Sequence, residues 1–258
     1  MKKLKTYYRY LEEYLKYQDI ESILDSVLYL LFGVGSRRNR ITNSGFGKIH
    51  LRKGTNDFQY ANYNYEWPVK RFVYEHMGEY SYFLDIGAGI GEYTILNSMN
   101  NKKVFAFEPQ EDSYQSILIN LNINRVNDTE VFNFGLGKKS QTIPFAINPV
   151  NTGASYVLEN KEKLPKGHIL GEIKIEALDA LIDDLNVDFS QSFLIKLDVE
   201  GMEPDILEGA KTFIQKCKHA LIILEDKHAG EDNLRAILNS ISDFKYGRID
   251  EYNIYAQK

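Results

Sequence analysis

The sequence predicts an α/β fold, a parallel Rossmann-like sheet preceded by a helical extension. Three observations carry this reading. An apolar strand, Tyr82 to Ile86, runs into Gly87, Gly89 and Gly91 and then into an apolar helical run, Tyr93 to Leu96. A second strand, Lys103 to Phe107, ends at Glu108, 23 positions after Asp85, where a strand–helix–strand unit puts an acid beside a bound nucleoside. Two further strands, Ser192 to Leu197 and Ala220 to Leu224, are nearly continuous apolar runs, the pattern of strands buried on both faces of a parallel sheet.

The rest of the chain punctuates these strands. Residues 4 to 32 repeat apolar side chains at threes and fours, with a break at Asp19-Ile20-Glu21, which predicts two helices. The second is apolar enough to pack on the main domain or a partner; a peripheral membrane contact is the alternative. Gly33 to Gly47 reads as a loop holding the basic cluster Arg37-Arg38-Arg40 around Asn39. Such a cluster either meets an anionic substrate or forms a solvated face. Lys48 to Leu51 alternates as a strand, and Trp67 to Met77 reads as a helix, with Tyr65 and Glu66 before it either folding over a ligand or capping. Asp112 to Asn122 is a helix, Val131 to Phe134 a third strand and Thr142 to Ile147 a short one. Residues 148 to 170 read as a lid or substrate loop, because loops of that length in compact domains are usually functional. Ile173 to Ile175 is a strand and Ala177 to Leu185 a helix; Ile206 to Gln215 and Leu234 to Ile241 are helices, and Tyr246 to Tyr255 a closing hairpin. The expected division is a helical extension over residues 1–45 and a catalytic domain over residues 46–258.

Composition narrows the function. The 258 residues carry a net charge of -5 and 43% hydrophobic side chains, enough for a sizeable core and unlike a general nucleic-acid binder. The lone Cys217 excludes an internal disulfide and a cysteine zinc cluster, and fits a reducing cytoplasm. No secretory apolar segment follows Met1-Lys2-Lys3, and the longest early apolar run, Val27 to Val34, is far short of a membrane span.

The glycine loop is G-x-G-x-G. The hydride-transfer fingerprint G-x-G-x-x-G/A needs a small residue where Glu92 stands. Asp85 just before the loop would repel a pyrophosphate but suits the ammonium end of a methionine-type ligand. The loop therefore reads as an S-adenosylmethionine (SAM) site, against the alternative of a glycine-rich turn without a ligand. Glu108, beside Pro109, is placed to accept both ribose hydroxyls. Asn133 at the third strand's end either bonds an adenine edge or forms a turn. Acids gather past two other strand ends: Asp198, Glu200 and Glu203 after one, Glu225 and Asp226 with His228 after the other. Ligands of open α/β sheets bind outside those ends. Glu203 before Pro204 has good helix-start chemistry. Asp198 and Glu200 share a side by strand alternation and are the better functional candidates.

Together these residues resemble the FkbM family of SAM-dependent methyltransferases from about Lys48 to Leu224. The likeness rests on Leu51-Arg52-Lys53-Gly54-Thr55, Asp85-Ile86-Gly87-Ala88 with Gly91, Phe107-Glu108-Pro109, Asn120 with Asn124, and Asn151-Thr152-Gly153. Its most specific block is Ile195-Lys196-Leu197-Asp198-Val199-Glu200-Gly201. Gly89 departs from it, since the family often carries Asn there. The resemblance implies a class I methyltransferase sheet of seven mostly parallel strands, helices on both faces and the last strand antiparallel. It implies O-methylation, commonly of sugar hydroxyls in glycans, glycolipids or natural products. Asp85, Gly87, Ala88, Gly89, Gly91 and the adjoining Glu92 would hold the methionine part, Glu108 and Pro109 the ribose, and Asn133 the adenine.

Methyl transfer to a hydroxyl requires alignment and a base. Asp198, Glu200 and His228 are the expected catalytic residues, with Glu200 or His228 taking the proton. Asp198, Glu225 and Asp226 form an all-oxygen set suited to Mg²⁺, which would lower the hydroxyl pKa; the alternative is that these acids bind sugar hydroxyls without metal. The expected acceptor is a small molecule or glycan, nucleotide- or lipid-linked sugars included, with no nucleic acid; homo-oligomerisation is left open. The competing functions are a different nucleotide-binding enzyme (oxidoreductase or epimerase) and a non-catalytic interaction protein keeping the fold.

Overall fold

The computed structural model describes residues 2–158 and 164–258. It opens on a helical hairpin, α1 (Lys2–Lys16) and α2 (Ile20–Phe32). Asp19 stands at the predicted break, and its carboxylate accepts the Ser22 N–H at the start of α2. The stretch read as a loop to Gly47 contains a strand: β1 (Arg40–Ser44) pairs antiparallel with β2 (Gly47–Leu51). Its inward residues are Thr42 and Ser44, so the alternation has no apolar signal. The basic cluster is neither a free solvated face nor an open anion site. Arg37 and Arg40 pair with Asp25, and Arg38 with Glu21, so the cluster clasps α2.

The next helices, α3 (Asp57–Tyr60) and α4 (Trp67–Glu75), lead to β3 (Tyr82–Ile86). There follow α5 (Glu92–Met99), β4 (Lys103–Phe107), α6 (Glu111–Asn124) and β5 (Thr129–Phe132). The chain then leaves the main sheet. β6 (Gly135–Leu136), β7 (Gln141–Ile147), β8 (Tyr156–Val157) and β9 (Ile169–Glu176) form a separate four-stranded sheet in the order β6-β9-β7-β8. The stretch read as one long loop therefore contains β8 and the first two residues of β9; residues 159–163 within it lie outside the described residues. The helix expected over 177–185 is a 3-10 turn, Leu178–Leu181, continued by the single turn α7 (Ile182–Leu185).

The second half returns to the main sheet with β10 (Ser192–Leu197), α8 (Glu203–Gly209), α9 (Lys211–Lys216), β11 (His219–Glu225), α10 (Glu231–Ile241), β12 (Lys245–Arg248) and β13 (Asn253–Gln257). The main sheet is a mixed, seven-stranded one in the order β12-β13-β11-β10-β3-β4-β5. β5, β4, β3, β10 and β11 pair in parallel, and β13 runs antiparallel to both its neighbours. Strand alternation sends Leu84, Phe105, Ile195 and Ile222 to one face, against Ile206, Phe213 and Leu234 of α8, α9 and α10. Phe83, Val104, Leu194 and Ile223 face the other way, against Val73, Ile95 and Ile117 of α4, α5 and α6. The strand order reverses between β3 and β10, and the crevice at such a switch point is where open α/β sheets take ligands.

Candidate active site

The glycine loop turns at the carboxyl end of β3. Gly87, Gly89 and Gly91 have φ of 83°, 58° and 87°, in the left-handed region that side chains avoid. Gly91 caps α5, and a Cβ there would press on Ile117 at 3.2 Å. Gly87 to Ile90 of the loop line a cavity of about 450 Å³ at the ends of β3, β4, β10 and β11.

Most predicted site residues meet there. Asp85, Gly87, Ala88, Gly89 and Glu92 line the cavity, as do Glu108 and Pro109. Asp198, Glu200 and Glu225 line it too. The buried Asp85 accepts the Thr94 hydroxyl at 2.6 Å, and burial raises its pKa. Glu108 accepts N–H groups of Gly89 at 2.8 Å and Gln110 at 2.9 Å; burial pushes its carboxyl up to about 7.

Four predicted residues stand elsewhere. Gly91 does not line the cavity; it shapes the turn. Asn133 is also outside the lining: its amide donates to the Glu108 carbonyl at 3.3 Å, tying the end of β5 to the end of β4. Asp226 pairs with Arg248 and leaves Glu225. Asp198 pairs with Lys196 at 2.7 Å. The Asp198–Glu225–Asp226 set expected for Mg²⁺ is therefore not assembled. His228 also lies outside the cavity lining, with its Nε2 3.0 Å from Glu200. Among the described residues, the set that converges is Glu200, Glu225 and His228, one ligand atom each within 4.8 Å of one another. Glu225 is pushed up to about 7 by burial, with Asp198 and Glu200 adding to it, and its Oε2 is buried without a hydrogen-bond partner among the described residues. Glu200 holds φ of 52°, a strained conformation for a residue with a side chain. Glu203 behaves as read, opening α8 and accepting the Gly201 N–H.

Several residues were not assigned a role from sequence. Lys70 is fully buried and donates to the Tyr65 carbonyl at 2.6 Å and to Glu92 at 3.1 Å. Burial holds Glu92 up at about 7 in spite of Lys70. Lys196 is buried over the Tyr93 ring at 4.6 Å as well as paired to Asp198. A lysine inside an otherwise apolar strand was the available signal, because a charge is buried there only with a partner. Tyr65 and Glu66 do line the cavity, and the Tyr93 hydroxyl donates to Glu66 at 3.1 Å. Tyr60 joins them: its hydroxyl donates to Asn151 at 2.7 Å and so ties the Thr152–Ala154 turn over the cavity.

The match to known proteins takes in the glycine loop and the acids past β10 and β11 and begins after Tyr60, Tyr65, Glu66 and Lys70. The family description Methyltransferase FkbM domain matches residues 85–249, more than half of the chain. The chain belongs to the FkbM methyltransferase family. Its relatives include the hexuronic acid methyltransferase AglP of Haloferax volcanii, 26% identical over 168 residues, which are 65% of this chain and 64% of that protein. Methyltransferase 1 of Beauveria bassiana is 24% identical over 144 residues, 50% of this chain and 58% of its own. The chain thus spans less than two thirds of the length of these curated relatives. Among solved structures, an rRNA methylase from Streptococcus thermophilus aligns with a TM-score of 0.45 and 13% identity, over 74% of this chain and 94% of that one.

The residues that carried the resemblance, some of them before the matched span, have structural reasons. Arg52 grips the buried Asp57 with two guanidinium hydrogen bonds, at 2.7 and 2.9 Å. Asn120 accepts the His50 N–H at 2.7 Å and donates to the Ile90 carbonyl at 2.9 Å, joining β2 to the glycine loop. Asn124 bonds both backbone groups of Lys48.

Proposed function

We propose that this FkbM methyltransferase uses SAM to methylate a hydroxyl of a sugar, in a glycan or a natural-product precursor. One observation carries the reading. A single cavity joins the glycine loop, with Asp85 and Glu108, to the acids Glu200 and Glu225 past β10 and β11. The first end suits an adenosyl amino acid: Asp85 toward the ammonium, Glu108 toward the ribose hydroxyls. The second end suits a polyol, with carboxylates to accept hydroxyl protons. The hexuronic acid named for the 26% identical relative supports a sugar acceptor.

SAM, when bound, would supply an electrophilic methyl group on a sulfonium leaving group. The chain's residues do the rest. Tyr60 and Tyr65 wall the cavity from water, and the glycine loop sets the line of approach. Glu225, held near 7 by burial with a free Oε2, takes the hydroxyl proton as the new O–C bond forms. Glu200 holds His228 alongside, a route for that proton to solvent. Glu200, Glu225 and His228 would also be the ligands of any divalent cation here, because the set containing Asp226 is not assembled. No step above depends on a cation.

The test is calorimetric titration with S-adenosylhomocysteine of wild type, Asp85→Asn and Glu108→Gln, then methyl transfer to free and nucleotide-linked sugars. Micromolar binding weakened in both variants, with transfer that survives EDTA and falls about 100-fold or more in Glu225→Gln, is the expected result. No binding by folded wild type sinks the reading and turns attention to NAD(H) or to an interaction protein. Transfer abolished by EDTA and restored by Mg²⁺ would replace Glu225 as base with a metal-held acceptor.

A further inference from the structure

Helix α2 is inside out. Its fully buried residues are polar, Ser22 and Asp25. Asp25 receives Arg40 at 2.7 Å, Arg37 at 2.9 Å and the Ser36 hydroxyl at 3.2 Å. Ile20, Leu24, Val27 and Leu31 recur at fours and threes, which puts them on one stripe opposite Ser22 and Asp25. All four are exposed, Leu31 at 67%, and Phe32 at the end of the helix is 70% exposed. Val34 extends the apolar surface beyond the helix, and α1 adds exposed Tyr7, Tyr8, Leu11 and Leu15. An apolar surface this extensive on a soluble face marks an interaction site.

Charge identifies what would cover it. Residues 1–40 hold eight Lys and Arg against five Asp and Glu, a net +3, within a chain of net -5; residues 41–258 therefore carry -8. Lys5, Arg9 and Lys16 are exposed on α1. The apolar surface thus lies in a net positive part of an acidic protein. A second copy would bring +3 against +3. An anionic lipid surface brings the opposite sign, and it takes Leu, Val and Phe into the acyl boundary with Tyr at the headgroup level. No helix among the described residues is long and apolar enough to cross a membrane.

We propose that α2, assisted by α1, docks the enzyme flat on an anionic bilayer, with Ile20, Leu24, Val27, Leu31 and Phe32 inserted at the interface. The surface is separate from the catalytic cavity, so the proposal stands whether or not the acceptor assignment is right.

The experiment is co-sedimentation of the full chain with phosphatidylglycerol/phosphatidylcholine vesicles and with pure phosphatidylcholine vesicles, at 50 and 500 mM salt. The variants are Leu24→Ser/Leu31→Ser and, separately, Lys5→Gln/Arg9→Gln/Lys16→Gln. These side chains are exposed, so wild-type circular dichroism and S-adenosylhomocysteine binding are expected. The prediction is binding to the anionic vesicles that drops about tenfold or more in either variant, weakens with salt, and is weak on phosphatidylcholine. Failure of wild type to sediment overturns it, as does equal sedimentation of the Leu24→Ser/Leu31→Ser variant. A wild-type dimer by light scattering that becomes monomeric in that variant, with no vesicle binding by either, would assign the surface to a second copy instead.

Discussion

The carbonyl oxygen of Asp198 lies 2.0 Å from where a Cβ on Gly87 would stand. The turn after β3 and the acidic turn after β10 are thus in backbone contact, and only glycine fits between them. Gly87→Ala would meet a backbone atom that cannot rotate away, at a φ of 83°. The expected cost is about 2–4 kcal/mol of stability, with loss of S-adenosylhomocysteine binding. Urea unfolding and calorimetry check both. A variant that binds normally would mean the loop does not form the cofactor end.

Lys196 and Asp198 form an ion pair whose lysine is buried and whose acid is a third exposed. Lys196→Met leaves Asp198 facing Asp85 and Glu66 without compensation. The expected destabilisation is about 2–3 kcal/mol, discounted for the exposure of Asp198. Lys196→Met/Asp198→Leu should recover part of it. A double-mutant cycle by chemical denaturation reads the coupling, and strict additivity would contradict the pairing.

The raised carboxyls predict a pH dependence of stability. Glu92, Glu108 and Glu225 are each pushed up to about 7, chiefly by burial, from an ordinary value near 4.5. Between these values the folded protein binds more protons than the unfolded chain, so stability falls as pH rises from about 4.5 through 7. The ligand-free enzyme should melt at a higher temperature at pH 6 than at pH 8, and Glu108→Gln should flatten the profile. Differential scanning calorimetry measures this; a profile rising toward pH 8 would be inconsistent with it.

The same group gives ligand binding the opposite slope. In its proposed role Glu108 would accept ribose hydroxyls best as a carboxylate. Its ionised fraction rises about tenfold from pH 6 to pH 8 for a group titrating at about 7. S-adenosylhomocysteine affinity should rise by a similar factor in wild type and stay nearly flat in Glu108→Gln.

Asn120 connects β2 to the cavity without lining it. Asn120→Ala leaves the His50 N–H and the Ile90 carbonyl unpaired in a buried place. The expected loss is about 2–3 kcal/mol, with weaker cofactor binding, because Ile90 belongs to the glycine loop. Asn120→Asp, which keeps the acceptor and removes the donor, should fall between the two.

The sheet was legible because its strands are apolar runs that stop at acids, and the turn after β3 because three glycines there need positive φ. Spacing also put Asp85 and Glu108 at strand ends that line one cavity. What sequence could not show was pairing across distance. Asp226 and Glu225 are neighbours in the chain, yet Arg248, 22 residues on, draws Asp226 away. Asn133 sits at a strand end as expected, but its amide serves the Glu108 carbonyl. Strand β1 was missed because its inward residues are Thr42 and Ser44, and burial of hydroxyls has no hydrophobic period. Lys70 was missed because a lysine in a helix reads as solvated until its fold surrounds it.

The four-stranded side sheet begins and ends at one place, since Gly135 stands opposite Ile175. Between those points it supplies Phe145, Val157 and Ile173 to the cavity wall. A segment that starts and finishes side by side can be exchanged between related chains with the seven-stranded frame left intact. Part of the cavity wall and the seven-stranded frame are thereby carried on separable pieces of one polypeptide, so grafting residues 137–174 from a relative should change that wall and leave the glycine loop and the acids past β10 and β11 in place.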